Sequence, residues 1–394
     1  MAMPSATAQP VLPDELLEDI LLRLDDAADL ARASATCASF HRVVTDRRFL
    51  RRFRSLHSPP VLGLLLDSSD GSRKGFYPAQ PPCRSAPAAR AFAAAADFTF
   101  SFLSDPARWH VRDICDGRVL LARRLELPRA SWFVFDKLVV YDPLHRRHVE
   151  IPPVPGDLAP NAWQREYEPF LVPVGEEKES SLRVICNVVY ENKFVTLVFS
   201  SLDGEWRDVT CFSTATFELM RYSILLNRHY AHGCFYWTDY AQKVMLMLDM
   251  RDMKLSVVDL PDESEGQQKT IVEAGKDKLG LLILNRRMLD LYIKTCQDNS
   301  VGIEEWQHDN TILLTQLPDC VWGIDSEAEG YIVLRGLPRD ELDAWMFPDE
   351  KPDVLYVTID VKTLLIERLC VLKFETWPVY LYARFLPPLP LPSI

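Results

Sequence analysis

Beyond Phe98 the chain is a succession of strand-length runs of Val, Leu, Ile, Phe and Tyr, separated by Asp-Gly, Asp-Pro, Asn and Pro turns. One unit has strand candidates at 118–122, 137–141 and 148–151, the last followed by Pro152-Pro153. The next has candidates at 183–190 and 194–200 and then Asp203-Gly204-Glu205-Trp206. Further units occupy 233–260, 278–314 and 321–372, and a last candidate lies at 379–385. The spacing is alternating or unbroken apolar, so helical repeats are excluded. Units recur about every 40 to 55 residues, the range of propeller blades. The expected fold is therefore an all-β propeller of six blades, with a pair of β-sandwiches as the alternative. Residues 61–66 and 379–385 have no obvious hairpin partner, and closing a ring would bring them into one blade.

Residues 12–56 read differently. Leu16, Leu17, Ile20, Leu21 and Leu24 fall on one stripe of a helix. Pro13 suits the first helical position, and Asp14, Glu15, Glu18 and Asp19 favour the positive end of the helix dipole. A second helical pattern runs through Leu30, Ala33 and Cys37, and a third through Phe40, Val43 and Val44 to Phe49. Three helices in so short a segment bury little apolar surface, which argues for a partner. Arg47, Arg48, Arg51, Arg52 and Arg54 form a basic cluster, but eight acidic residues balance eight Arg over residues 1–60, so a solvated face is the expectation.

The series LPDELLEDILLRL, ADLARASATCASFHRVV and Phe49 resembles an F-box. That resemblance implies docking on a Skp1-type adaptor, and through it on a cullin, by Leu12, Pro13, Leu16, Leu17, Ile20, Leu21, Leu24, Cys37 and Val43. Thr36 and Phe40 stand where the family often has Val and Trp. The phrases at 113–120, 140–143 and 151–153, with Pro387-Pro388, are similar to the F-box-associated propeller of large plant families. Together the two resemblances imply a small all-α F-box (three-helix) module followed by an all-β propeller, hence a multi-domain chain. The expected parts are a flexible 1–11, the helical 12–57, a junction over 58–97 containing strand 61–66 and an exposed loop, and a substrate-recognition domain over 98–394.

A chain of 394 residues, 48% hydrophobic and 25% charged, exceeds one ordinary core. Its net charge of −12 argues against general nucleic-acid or anionic-membrane binding. No secretion signal or membrane-length apolar run is evident. Nine scattered cysteines suggest reduced thiols in cytosol or nucleus.

Catalytic patterns are few. His145/His148 and His229/His232 have a spacing that puts partners on opposite strand faces, so surface or turn histidines are expected, with no metal and no cofactor. No nucleophile elbow or phosphate-binding loop is present. Glu304/Glu305 and Asp349/Glu350 read as solvated turn charges, and the tryptophans at 163, 206, 237, 306 and 322 as fillers between blades or a binding face. The expectation is a non-catalytic receptor subunit of a ubiquitin ligase with an unknown protein target. Two alternatives stay open: a propeller hydrolase with a helical cap, which calls for converging carboxylates or a metal in the central channel, and an adaptor-binding scaffold outside any ligase.

Overall fold

The computed structural model describes residues 12–24, 27–67, 74–124, 135–156, 158, 166–173, 182–190, 194–212, 227–295, 305–339, 351–373 and 379–384. Trp163, Glu304, Asp349, Glu350, Pro387-Pro388 and the 1–11 segment lie outside the described residues. The chain divides into a helical unit ending at Pro60 and a β unit from Val61 to Ala383.

Four helices form the first unit where three were expected: α1 (Asp14–Leu21), α2 (Ala27–Ser34), α3 (Ala38–Val44) and α4 (Arg47–Leu56). The expected third helix is cut at Asp46, whose backbone is extended. Its carboxylate accepts from the backbone N–H groups of Arg48 at 2.7 Å and Phe49 at 3.3 Å. An aspartate in that role starts a new helix rather than continuing the old one. Pro13 stands one place earlier than expected, at the N-cap of α1. Leu17, Leu21, Leu22, Leu30, Val43, Val44, Phe49 and Phe53 make the core. The His57 ring bonds the carbonyl of Leu22 at 2.9 Å, tying the end of α4 to the end of α1.

The β unit holds six sheets among the described residues, as the repeat spacing implied. β1 (Val61–Asp67) and β2 (Lys74–Pro78) belong to the blade that closes the ring. The five blades that follow are four-stranded antiparallel meanders. Blade one is β3 (Trp109–Cys115), β4 (Arg118–Arg124), β5 (Phe135–Asp142) and β6 (Arg147–Ile151). Blade two is β7 (Glu166–Leu171), β8 (Arg183–Val189), β9 (Phe194–Ser200) and β10 (Glu205–Phe212). Blade three is β11 (Arg228–Ala231), β12 (Cys234–Thr238), β13 (Val244–Asp249) and β14 (Lys254–Asp259). Blade four is β15 (Gln268–Glu273), β16 (Lys278–Asn285), β17 (Met288–Thr295) and β18 (Gln307–Leu313). Blade five is β19 (Cys320–Ala328), β20 (Tyr331–Pro338), β21 (Asp353–Asp360) and β22 (Ile366–Lys373).

β23 (Val379–Ala383) returns to lie antiparallel beside β1, with Leu64 opposite Leu381, in the order β2-β1-β23. The two isolated strand candidates thus share a blade. The segment after β1, expected to be an exposed loop, differs from that expectation. It supplies β2, which gives β1 a hairpin partner, and a helix, α5 (Ala86–Ala95). Alanine has the highest helix propensity, Pro87 sits in the first turn, and Ala86, Ala89 and Phe92 are buried at spacing three. An Ala- and Pro-rich stretch that looks like linker is therefore an amphipathic helix packed on the closing blade.

Apolar clusters lie between consecutive blades: one and two share Leu120, Val140, Val184 and Trp206, while four and five share Leu282, Leu291, Trp322 and Leu334. The first strand of each four-stranded blade, together with β23, faces the ring axis, where these strands touch one another. Three turns that leave those inner strands, Asp116-Gly117, His232-Gly233 and Glu329-Gly330, have positive φ at both residues. That is the tight hairpin geometry whose twist matches the strands, and a glycine in second place takes it without strain.

Candidate functional site

Two places carry the functional question, one in each unit. On α1 the expected adaptor residues divide into two groups. Leu17, Leu21 and Val43 are buried in the module's own core, and Leu24 packs against it. Leu16 and Ile20 are 51% and 50% exposed at spacing four, so they share the outer face of α1, and Leu12, 48% exposed, lies just before the helix on the far side of its N-cap Pro13. Pro13 and Cys37 are also exposed. Asp14 and Asp19 on the same helix are held by Arg42 at 2.6 Å and Arg52 at 3.5 Å, so part of the arginine cluster is spent on salt bridges within the module. Such exposed pairs contribute little to stability; which face of α1 stays bare follows from Leu17 and Leu21 packing into the core.

In the β unit, charged groups meet where apolar strands would be expected. Arg228 opens β11 and bonds Asp113 of β3 at 2.9 Å and Glu168 of β7 at 2.6 Å, so three blades converge on one guanidinium. Asp113 also accepts from the N–H of Leu171 at 2.7 Å. Glu168 accepts from Asn187 at 2.8 Å and from the Trp237 indole at 3.4 Å, while Asn187 accepts from Thr196 at 2.9 Å. The guanidinium lies 4.2 Å from the centre of the Phe170 ring. Burial pushes Glu168 up to about 7 even though Arg228 pulls it down, and it raises Asp113 likewise. Burial works against the charge of Arg228, but Asp113 and Glu168 outweigh it and hold its pKa above the usual value.

Elsewhere around the ring a polar side chain from one blade takes a backbone N–H of another. Asp67 accepts from Val111 at 2.6 Å, Glu273 from His232 at 2.7 Å, Gln268 from Ile324 at 2.7 Å and Glu329 from Asp116 at 2.7 Å. Each of these bonds satisfies a donor that the blade's own ladder does not use. At the end of the ring where the three X-Gly turns lie there is a cavity of about 250 Å³. Its wall includes Ile114, Leu171, Phe235 and Val272, and its charged lining includes Glu273, Glu327 and Glu329.

Carboxylates therefore do converge at the axis, as a hydrolase would require. Asp113, Glu273 and Glu329, however, are all engaged as clamps on a neighbouring backbone. The thiol of Cys115 and the carboxylates of Asp116 and Glu329 lie within 4.8 Å of one another. Burial, followed by Asp116 and Glu329, pushes that thiol well above its ordinary range.

The histidine pairs do not assemble. His145 bonds Asp142 at 2.7 Å beside a turn, and His148 stacks on Phe102. His229 is not at the surface as expected. It is buried between Thr238 at 3.0 Å and Thr270 at 3.1 Å, and burial drives its pKa down to about 3. The described tryptophans join blades: Trp206 donates to the carbonyl of Pro152 at 2.7 Å and Trp306 to that of Asp259 at 2.8 Å. The axial charges had not been singled out from the sequence. Their signal is Arg, Asp or Glu inside short runs such as RHYA, EYEPFL and GIDSEA, whose other residues read as strand.

A helical module of this kind followed by a six-bladed ring defines a propeller-bearing F-box architecture. The family model described as F-box protein AT5G49610-like, beta-propeller, matches residues 110–340, more than half of the chain, and an F-box-like model matches residues 10–56. The chain belongs to the AT5G49610-like F-box β-propeller family. No curated protein matches it.

Solved structures similar to the chain include the Cps50 (Swd1) propeller of Myceliophteria thermophila, at 7% identity, covering 68% of this chain and 74% of that one, with a TM-score of 0.32. Aleuria aurantia lectin aligns at 10% identity over 65% and 73%, with a TM-score of 0.35. A post-proline cleaving enzyme from Rickettsia typhi aligns at 8% identity over 66% of this chain, with a TM-score of 0.31, and the chain spans 36% of that enzyme's length. Among the described residues no helix is long and apolar enough to cross a membrane.

Proposed function

We propose that this protein is the target-recognition subunit of a Skp1–cullin–F-box ubiquitin ligase. In this reading residues 12–57 dock on a Skp1-type adaptor, the adaptor joins them to a cullin, and the β unit grips a protein target. The protein performs no bond chemistry itself. It raises the effective concentration of target lysines at a charged conjugating enzyme by binding both at once. The role belongs to cytosol or nucleus.

The observation that carries the proposal is the exposed apolar face of Leu16 and Ile20 on α1, with Leu12 exposed just before it, on a segment of F-box type. Three large apolar side chains left half exposed are an interface signature, because the module's own core is complete without them.

Ile20→Asp tests it. The new carboxylate is solvated in the free module and stranded in the complex, at a cost of several kcal/mol, or about 100-fold or more in affinity. Capture of a purified Skp1-type adaptor should be lost while the circular dichroism of the protein is unchanged. Wild-type capture by a folded Ile20→Asp protein refutes the docking. Cullin recovered with the wild-type protein separates a ligase subunit from a scaffold that stops at the adaptor.

A further inference from the structure

One corner of the ring, where blades four and five meet, departs in its chemistry from the rest of the β unit. The X-Gly turns lie where first strands end; in an antiparallel meander the turn after a second strand, and the connection leading into a first strand, lie at the other end. The Arg286-Arg287 turn between β16 and β17 and the 314–319 connection from β18 to β19 therefore share that other end. They are bound together. The N–H of Leu314 donates to the carbonyl of Arg287 at 2.9 Å, and the Arg287 guanidinium donates to the Leu314 carbonyl at 3.1 Å and to Asp319 at 3.0 Å. Arg339, just past β20, reaches the same Asp319 at 3.0 Å.

Segments 285–288, 313–321 and 337–339 thus bring together three arginines and one acid, in a chain whose net charge is −12. Arg286 is exposed in its turn, at φ +56°. Beside these charges large apolar side chains stand open to water. Met288 lies directly opposite Leu313 on the last two strands of blade four, so both leave the same face of the sheet, and they are 37% and 54% exposed. Val321, 41% exposed, follows Asp319 by two residues. Their neighbours Ile312, Leu314 and Trp322 fill the core between the two blades, which is complete without them. The chain enters the ring at the opposite end, where Val61 pairs with Ala383 at the close of β23.

We propose that this corner is a target-binding surface and that it takes an acidic segment of the target in which carboxylates alternate with large apolar side chains. Charge complementarity selects the occupant. A guanidinium binds a carboxylate in a fixed fork, and the exposed Met288, Leu313 and Val321 lose water when apolar side chains of the segment settle on them. A basic partner or a wholly polar one satisfies only part of this surface. Arg287 is spent on holding the 314–319 connection, so Arg286 and Arg339 make the contacts. The inference rests on the target-receptor reading and specifies the chemistry of the target.

The experiment uses the full chain and a fluorescent, end-capped peptide in which Glu alternates with Leu and Phe. One control peptide has Gln for every Glu, and another has Ser for every Leu and Phe. At low ionic strength the parent peptide should bind about tenfold or more tighter than either control, and its advantage over the Gln peptide should shrink in about 0.5 M salt. Arg286→Gln and Arg339→Gln should each weaken it about threefold and Leu313→Ser about tenfold, with unchanged melting curves because all three side chains are exposed. Arg207→Gln, which removes the same charge from an exposed position on blade two, should change nothing. Equal binding of either control peptide, or an equal loss in Arg207→Gln, overturns the surface. So does a dimer in sedimentation that Leu313→Ser dissolves, which assigns the corner to a second copy. A gain of about tenfold on combining Asp340→Asn, Glu341→Gln and Asp343→Asn also overturns it, by assigning the corner to the acidic segment that follows Arg339 in this chain. Adaptor capture by the same proteins is scored separately. If capture holds and the acidic peptide fails, only the surface falls; if capture fails, the receptor reading falls, whatever the peptide does.

Discussion

Replacing Arg228 by Met tests whether the axial hub is a structural keystone. The guanidinium holds Asp113 of blade one and Glu168 of blade two from its place on blade three, and it lies on the Phe170 ring. Methionine keeps the stem and removes the charge, leaving two buried carboxylates unpaired. Breaking a buried ion pair from one side costs about 3 to 5 kcal/mol, and the lost ring contact adds up to about 2. For a unit of this size the melting temperature should fall by roughly 6 to 10 °C at pH 8.

The loss must also depend on pH. Glu168 already has a folded value near 7, above its ordinary 4.5, so the stability it contributes is full at low pH and declines as pH rises through 7. Without Arg228 that value climbs further. The defect of Arg228→Met should therefore shrink as pH falls from 8 to 5.5, and Arg228→Met with Glu168→Gln should recover part of it. Thermal and urea unfolding followed by tryptophan fluorescence reads the change directly, since Trp237 touches Glu168. A melting curve that matches wild type at pH 8, or a defect that is constant between pH 5.5 and 8, refutes the reasoning.

Two further outcomes follow from the closing blade. Deleting residues 379–394 removes β23 and exposes the edge of β1, so the whole β unit should lose its cooperative melt while adaptor capture by the helical unit persists; a propeller that melts like the full-length one contradicts the closure. Gly63 has φ +155°, and a Cβ there would run into the carbonyl oxygen of Tyr77 on β2, so Gly63→Ala should lower the melting temperature by several degrees in a thermal scan, whereas Gly156→Ala, with open space around it, should not.

The blades and their number were legible because each repeats the same period-two runs and turn residues, and the ring follows from repetition; the inner strands β3, β7, β11 and β15 fall outside the strand candidates, because charged residues such as Asp113, Glu168, Arg228 and Lys269 interrupt their apolar runs. α5 was hidden by its composition: alanine supplies helix propensity without the bulky apolar stripe by which helices are usually recognised. The break at Asp46 was hidden because Phe49 continues the apolar spacing across it. On α1 the spacing marked a stripe, but which leucines face inward depends on where α3 and α4 pack. The hub was the least legible. Asp113, Glu168 and Arg228 sit in three separate blades, and nothing local to any of them announces the other two; only ring closure brings them together.

The pairing of β1 with β23 also sets an order of events at the ribosome. The helical unit emerges first and its core is local, so it is complete early in synthesis. The ring cannot close until the last of the described strands has left the exit tunnel, because its seam joins residues 61–66 to residues 379–383. A nascent chain stalled anywhere in between is a folded helical unit carrying an open strip of blades. If the helical unit docks on an adaptor as proposed, such a chain occupies the adaptor without holding a target, and completion of the seam is the step that separates a receptor from an inhibitor of its own kind.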